Sequence, residues 1–295
     1  MLITFSIPSI RPLRDIMKTV GDIYKSADYP KRIETIVRLD EEDQRDEGWI
    51  DNIKYSAGKY VDNVKVLVGK KMYGYCSGPE MNKEIYDMMK GEFLFIYNDD
   101  VVGISEGYDS VIRKYSGKLV LLSTSNRKNK FDFGIYPKKF IEVNGRLQYS
   151  CYTNWEMETW WKYFPDLFVM LDDEEILIHH NPTAGHGMTV SLGLNCENLH
   201  LKEGYSEYPW SRVHLGLDGE VRTSDDQPKG LNKWYKICEV DVPNMKKWLR
   251  ENPKWIYGDK TPDDWKNIPY ENNQKSSNCE CCDEKKVEES GFLRR

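Results

Sequence analysis

The run Phe93-Leu94-Phe95-Ile96-Tyr97 is apolar or aromatic throughout and stops at Asn98-Asp99-Asp100. Two adjacent carboxylates at the end of a buried strand suit a hard divalent cation. Mg2+ or Mn2+ takes oxygen ligands and is commonly held by one or two carboxylates, with substrate phosphates supplying further oxygens. Such an ion lets carboxylates approach a polyanion that they would otherwise repel. The same residues also suit a solvated turn after a strand. Two other strand-like runs end in polar groups: one leads into Pro8-Ser9-Ile10-Arg11, the other into Asp40-Glu41-Glu42-Asp43. Acidic residues are common in turns, so one such terminus says little. In open α/β sheets, however, ligands bind beyond the carboxyl ends of the strands. Three such termini on one edge point to a site.

The elements that must position these residues alternate cleanly over the first 125 residues. The pattern predicts strands over 2–7, 32–40, 64–69, 93–97 and 118–125. It predicts helices over 12–25, with Pro12 in the first turn, over 78–91 and over 105–115. In 78–91, Met81, Ile85, Met88 and Met89 fall at helical spacing, bracketed by Pro79 and Gly91. Strands alternating with helices imply an α/β fold, a mainly parallel sheet with helices on both faces. Farther along, 153–164 reads as a helix, with Thr153 and Glu156 in capping-box spacing. Residues 174–182 read as a strand carrying His179 and His180. Strand-like pieces at 212–217 and 234–242 and a short helix at 244–252 belong to a less regular C-terminal extension. From about residue 271 the composition is polar and charged, which predicts a disordered tail.

The bulk properties exclude several classes. A net charge of −6 with no basic domain argues against a nucleic-acid partner. No apolar run approaches the roughly 18 residues of a transmembrane helix. The N-terminal run lacks the charged start of a signal peptide. The seven cysteines form no framework, which suits a reducing, cytoplasmic setting.

"ITFSIPSIRP", "IETIVRLDEED" and "MNKEIYDMMKGEFLFIYNDD" occur in that order. Together they resemble the nucleotide-sugar-binding half of a GT-A-fold glycosyltransferase, similar to the family 2-like group. The likeness is good over 2–125 and looser over 126–182. It implies a GT-A domain over 1–185, with 1–125 as the nucleotide-sugar-binding half and 126–185 as the acceptor and catalytic half. An extension over 186–270 would pack on it, followed by the tail at 271–295.

The resemblance also implies roles. Pro8, Ser9 and Arg11 match the segment after the first strand, and Asp40 the residue that contacts the nucleobase. Asn82 and Gly91 match the helix before the metal strand. Asn98-Asp99-Asp100 takes the place of the family's DXD motif, departing from it at Asn98. Asp100 is then the expected metal ligand, with Asp99 next, for Mn2+ or Mg2+. A late histidine joins the metal or the diphosphate in many such enzymes. Here that is His179 or His180, whose side chains point to opposite faces of a strand. His186 lies in a Gly-containing stretch that could close over the donor. Glu158 is expected as the base that deprotonates the acceptor hydroxyl, with Glu156 as the alternative.

The implied reaction is metal-assisted, inverting transfer of a sugar, from a UDP-sugar by preference, to a glycan or other hydroxyl acceptor. Trp155, Trp160, Trp161 and Trp210 could stack on a sugar or simply fill the core. Cys279, Cys281 and Cys282 make a poor structural zinc site, being three thiolates without a clear fourth ligand. Three other readings stay open. A nucleotidyltransferase would show a Gly-rich phosphate loop, which is missing here. A metallohydrolase would leave Asp40 unexplained. The third is a carbohydrate-binding protein with a decayed transferase fold.

Overall fold

Side chains alternate across the strands, and the alternation builds a core on each face of one sheet. In β1 (Ile3–Ser9), Ile3, Phe5 and Ile7 face one way and Thr4 and Ser6 the other. In β2 (Ile33–Asp40), Ile33, Val37 and Leu39 share the first face with them. Glu34, Ile36, Arg38 and Asp40 share the second. The computed structural model describes residues 1–9, 13–41, 48–69, 77–99, 101–124, 131, 133–145, 147, 153–172, 174–180, 213–215, 221–223 and 240–257.

The further strands are β3 (Val64–Gly69), β4 (Phe93–Ile96), β5 (Val101–Ile104), β6 (Leu121–Thr124), β7 (Phe133–Pro137), β8 (Phe168–Leu171), β9 (Ile178–His180), β10 (Val213–Leu215) and β11 (Val221–Thr223). Seven of them form one sheet in the order β3-β2-β1-β4-β7-β6-β8. β7 runs antiparallel to β4 and to β6, and the other pairings are parallel. Only residues 125–132 join β6 to β7, fewer than the dozen or so that a parallel crossover needs. β5 and β9 form an antiparallel ribbon, and β10 and β11 another.

The first face is covered by α1 (Leu13–Ser26), α2 (Trp49–Tyr55) and α4 (Tyr108–Arg113), through Ile16, Val20, Ile23, Trp49, Ile53, Tyr108 and Ile112. The second is covered by α3 (Ser77–Met88), α5 (Lys138–Asn144), α6 (Thr153–Tyr163) and α7 (Val242–Glu251). A last turn, α8, spans Lys254–Tyr257. Val242, Met245 and Leu249 of α7 are buried in the same cluster as Phe140 and Ile141. This corrects one expectation. The strand anticipated over 234–242 has helix at its end, because Pro243 suits a helix's first turn and cannot serve a sheet ladder. Residues 234–239 lie outside the described part.

The chain lays β2 and β3 to one side of β1 and then returns to place β4 on the other. The strand order therefore reverses between β1 and β4, and the carboxyl ends of those two strands flank the reversal. Gly91 makes the return possible. A Cβ there would lie 2.6 Å from both the Thr4 nitrogen and Thr4 Oγ1.

Candidate active site at the carboxyl edge of the sheet

At the reversal, Ser9 Oγ donates a hydrogen bond of 2.7 Å to Asp99 Oδ2. The Tyr97 N–H donates to the Ser6 carbonyl at 2.9 Å, so β4 stays in step with β1 up to the corner. Tyr97 itself is buried among Phe5, Phe95 and Phe133. Burial, then the charge of Asp22, pushes its phenol well above the ordinary value, so it is a neutral core ring. Helix α1 holds the corner from below. Thr19, buried, donates through Oγ1 to the Val101 carbonyl at 2.9 Å, and Lys18 Nζ donates to the Val102 carbonyl. Asp100 lies outside the described residues, as does Arg11.

The ribbon brings the histidine positions to the same corner. His180 is in register with Val101, the residue after Asp100, and His179 with Gly103. His179 is exposed, and its ring lies against Gly103, where a Cβ would be 3.5 Å from Cδ2. The side chain of His180 lies outside the described part.

The second face of β1 and β2 carries Thr4, Ser6, Glu34, Arg38 and Asp40 beside the apolar Ile36, and α3 with the turn after it supplies partners to several of them. Thr4 donates to Glu34 at 2.8 Å, Ser6 to Asn82 Oδ1 at 2.6 Å, and Arg38 Nε to Glu84 at 2.8 Å. Glu34 also accepts from Lys65 Nζ at 2.7 Å and from the Lys90 N–H at 2.9 Å. Burial alone would raise its carboxyl. The bonds from Lys65, Lys90 and Thr4 outweigh that and hold it below its ordinary value. At the carboxyl end of this stripe Asp40 is buried and ion-paired with Arg38, which is also buried.

Glu156 and Glu158 stand on α6, which packs against β7, across β4 and β1 from Asp40. α6 leads through Phe164 and a short turn at Pro165–Leu167 into β8, which is parallel to β6. Its N-terminal turns are therefore directed toward the carboxyl edge. Glu156 is fully buried. Glu158 is half-exposed and pairs with Lys162 at 3.1 Å. Trp160 is a core residue, edge-on to Phe140 at 4.9 Å and 1% exposed, so it cannot stack on a sugar. Trp161 is partly exposed beside Phe131. The side chain of Trp155 lies outside the described part. His186, Trp210, Cys279, Cys281 and Cys282 lie outside the described residues.

The donors at the corner suit Mg2+ or Mn2+. Asp99 and Ser9 offer oxygen. Among the described residues no three His, Cys, Asp or Glu side chains gather into a ready cage. For these ions one or two carboxylates suffice when phosphates supply the rest. Four residues of this edge were not singled out from sequence. Lys18 and Thr19 look like ordinary helix residues. Arg38 does carry a signal, a charge at a position where the strand pattern buries side chains, and Glu84 follows only once α3 is docked.

No family model matches the chain, and no curated protein matches it in sequence. Solved structures do. The fold is similar to that of glycosyltransferases. A mannosyltransferase, PcManGT from Pyrobaculum calidifontis, in complex with GDP-Man and Mn2+, superposes with 12% identity over 53% of this chain and 51% of that one, at a TM-score of 0.42. TarS from S. aureus in complex with UDP gives 15% identity over 49% of each chain, at 0.39. Glucosyl-3-phosphoglycerate synthase from Mycobacterium tuberculosis, with Mg2+ and UDP, gives 10% identity over 61% of this chain and 71% of that one, at 0.43. The match spans about half the length of the first two. The chemistry of the site rests on the sheet order and residues above, not on these partial superpositions. Among the described residues, no helix is long and apolar enough to cross a membrane.

Proposed function

We propose that the chain is a metal-assisted glycosyltransferase. It moves a sugar from a nucleotide-sugar donor, UDP-linked by preference, to a hydroxyl of a glycan or other acceptor, with inversion. The observation that carries this reading is the meeting of Ser9 and Asp99 at the strand-order reversal. An oxygen-donor corner at that place is where a diphosphate and its counter-ion belong.

The residues divide the work along the edge. Pro8, Ser9 and Arg11 lie along the nucleoside, Asp40 accepts a hydrogen bond from the base, and Asn82 steadies β1 through Ser6. Asp99 and Asp100, with His180 or His179 beside them, hold Mn2+ or Mg2+. The ion, when bound, offsets negative charge developing on the leaving diphosphate. Glu158 takes the proton from the acceptor hydroxyl as that oxygen attacks the anomeric carbon, and Glu156 is the second candidate. Half-exposure of Glu158 beside Lys162 on α6 supports this role over that of the buried Glu156. The cytoplasm is the proposed setting, on the unframed cysteines.

The test is release of nucleoside diphosphate from a panel of UDP- and GDP-sugars with Mn2+, with and without EDTA and without added acceptor. Slow, metal-dependent donor hydrolysis supports an enzyme. Tight donor binding with no hydrolysis, and no transfer to any of a panel of sugar acceptors, would favour the non-catalytic carbohydrate-binding reading.

A further inference from the structure

Arg38 is an unexpected occupant of a strand interior. Its side chain is fully buried in β2, on the same face as Ile36. Burying a guanidinium is costly unless each charge is answered, and an apolar side chain of similar volume would often serve stability as well or better. Here the surroundings are built around it. Nε donates to Glu84 at 2.8 Å, and Nη1 donates to the Leu39 carbonyl at 3.0 Å and to Asp40 Oδ1. Gly69, opposite Asp40 in register on β3, leaves the room: a Cβ there would lie 2.6 Å from Nη2. Two strands and α3 thus converge on one cation, directly beneath the strand-end carboxylate.

We propose that Arg38 is a positioning residue that fixes Asp40 as an acceptor-only carboxylate and thereby sets which nucleobases the site takes. The proposal rests on the reading of Asp40 as the base-contacting residue. A guanidinium in contact favours the charged form of a carboxylate. A charged carboxylate can accept hydrogen bonds and cannot donate them. A carboxylate held opposite the ring nitrogen is met by an N–H in uracil, at N3, and in guanine, at N1. Cytosine N3 and adenine N1 bring a lone pair there, and the exocyclic N–H2 beside each can reach the carboxylate only if Asp40 turns toward it. Acceptor would face acceptor in a buried place, with both groups unpaired, and that is the arrangement by which polar sites reject a wrong ligand. Without Arg38, Asp40 could turn toward that amino group, and the distinction would fade. Glu84, half-exposed on α3, holds the guanidinium from its other side.

The test is calorimetry with Mn2+ and UDP, GDP, CDP or ADP, and with Mn2+ and pyrophosphate as a base-free probe. The proteins are the parent, Arg38→Gln and Glu84→Gln. The parent should bind UDP, GDP or both at least about tenfold more tightly than CDP and ADP, the scale of one charge-assisted hydrogen bond. In Arg38→Gln that ratio should fall toward one while pyrophosphate affinity is kept. In Glu84→Gln it should fall about threefold, since only the outer contact is weakened. A merely structural role would lower all affinities together. An unchanged ratio in both variants, or in Glu84→Gln alone should Arg38→Gln not fold, overturns the inference and leaves the nucleotide reading standing. A parent that takes CDP or ADP as tightly as the better bound of UDP and GDP also overturns it. A parent that binds none of the four removes both.

Discussion

The hydroxyl of Ser9 donates to Asp99 Oδ2 at 2.7 Å, joining the last residue of β1 to the corner after β4. The two residues are ninety positions apart in the chain. Their meeting follows from the parallel pairing of β1 with β4, in which Ser6 stands opposite Ile96. With Thr19 bonded to the Val101 carbonyl, the Asp99 corner is fixed from two elements before any ligand arrives. A carboxylate held in this way loses little freedom on binding, which favours tight capture of a cation.

Replacing Ser9 with Ala removes one of those ties. Mn2+-dependent UDP affinity should fall about three- to tenfold, the range of a single hydrogen bond to a charged group. The urea midpoint should hardly move. Calorimetry on the two proteins checks it, and equal affinities would deny Ser9 a positioning role.

Glu34 gives the fold a pH dependence of defined sign. Its folded carboxyl is held below the ordinary value by Lys65, the Lys90 N–H and Thr4, against the opposing effect of burial. Its contribution is therefore fully present above the unfolded pKa, about 4.3, and is lost as pH falls through the lower, folded value. Glu34→Gln should be less stable than the parent at neutral pH, and its loss of stability on acidification should be shallower. Urea unfolding between pH 3 and 7 (~4 units of pH, spanning the carboxylate range) would show two parallel curves if Glu34 had no such role.

Gly91→Ala tests the close approach of the turn before β4 to β1. The added methyl would sit 2.6 Å from two atoms of Thr4, one of them backbone. The expected loss is about 1–3 kcal/mol, the usual cost of overpacking, read as a lower urea midpoint. A wild-type midpoint would mean that the turn yields freely.

Glu158→Gln keeps the shape of the side chain and removes its basicity. Donor binding should be unchanged, and transfer should drop about 10²-fold or more, the usual scale of general-base catalysis. Near-normal turnover would move the role to Glu156, the buried carboxylate two residues earlier.

The first 125 residues were the most legible in sequence because strand-like and helix-like runs alternate there. "IETIVRLD", rich in β-branched residues, and the apolar "FLFIY" read as strands, and the buried Met81 and Ile85 mark the inner face of α3. β5, β7 and β8 were not legible. Each is five residues or fewer, and β5 has a glycine within it, so a period of two has no length in which to show. α2 and α5, at seven residues each, are too short for helical periodicity. Without β5, the pairing that carries His179 and His180 to the corner after Asp99 could not be read. The buried Arg38–Asp40 pair was hidden for another reason. A strand ending in "RLD" looks like a turn toward solvent until α3 supplies Glu84 and closes that face.

The central claim is that the corner after β4 binds a divalent ion together with a nucleoside diphosphate. Calorimetric titration of UDP in the presence and absence of Mn2+, on the parent and on the Asp99→Ala/Asp100→Ala double variant, tests it most directly. The account predicts that Mn2+ tightens UDP binding to the parent by about tenfold or more, as expected when a cation screens carboxylate from phosphate, and that it has no effect on the double variant, which stays folded. The same Mn2+-dependent tightening in both proteins, or none in either, would contradict it.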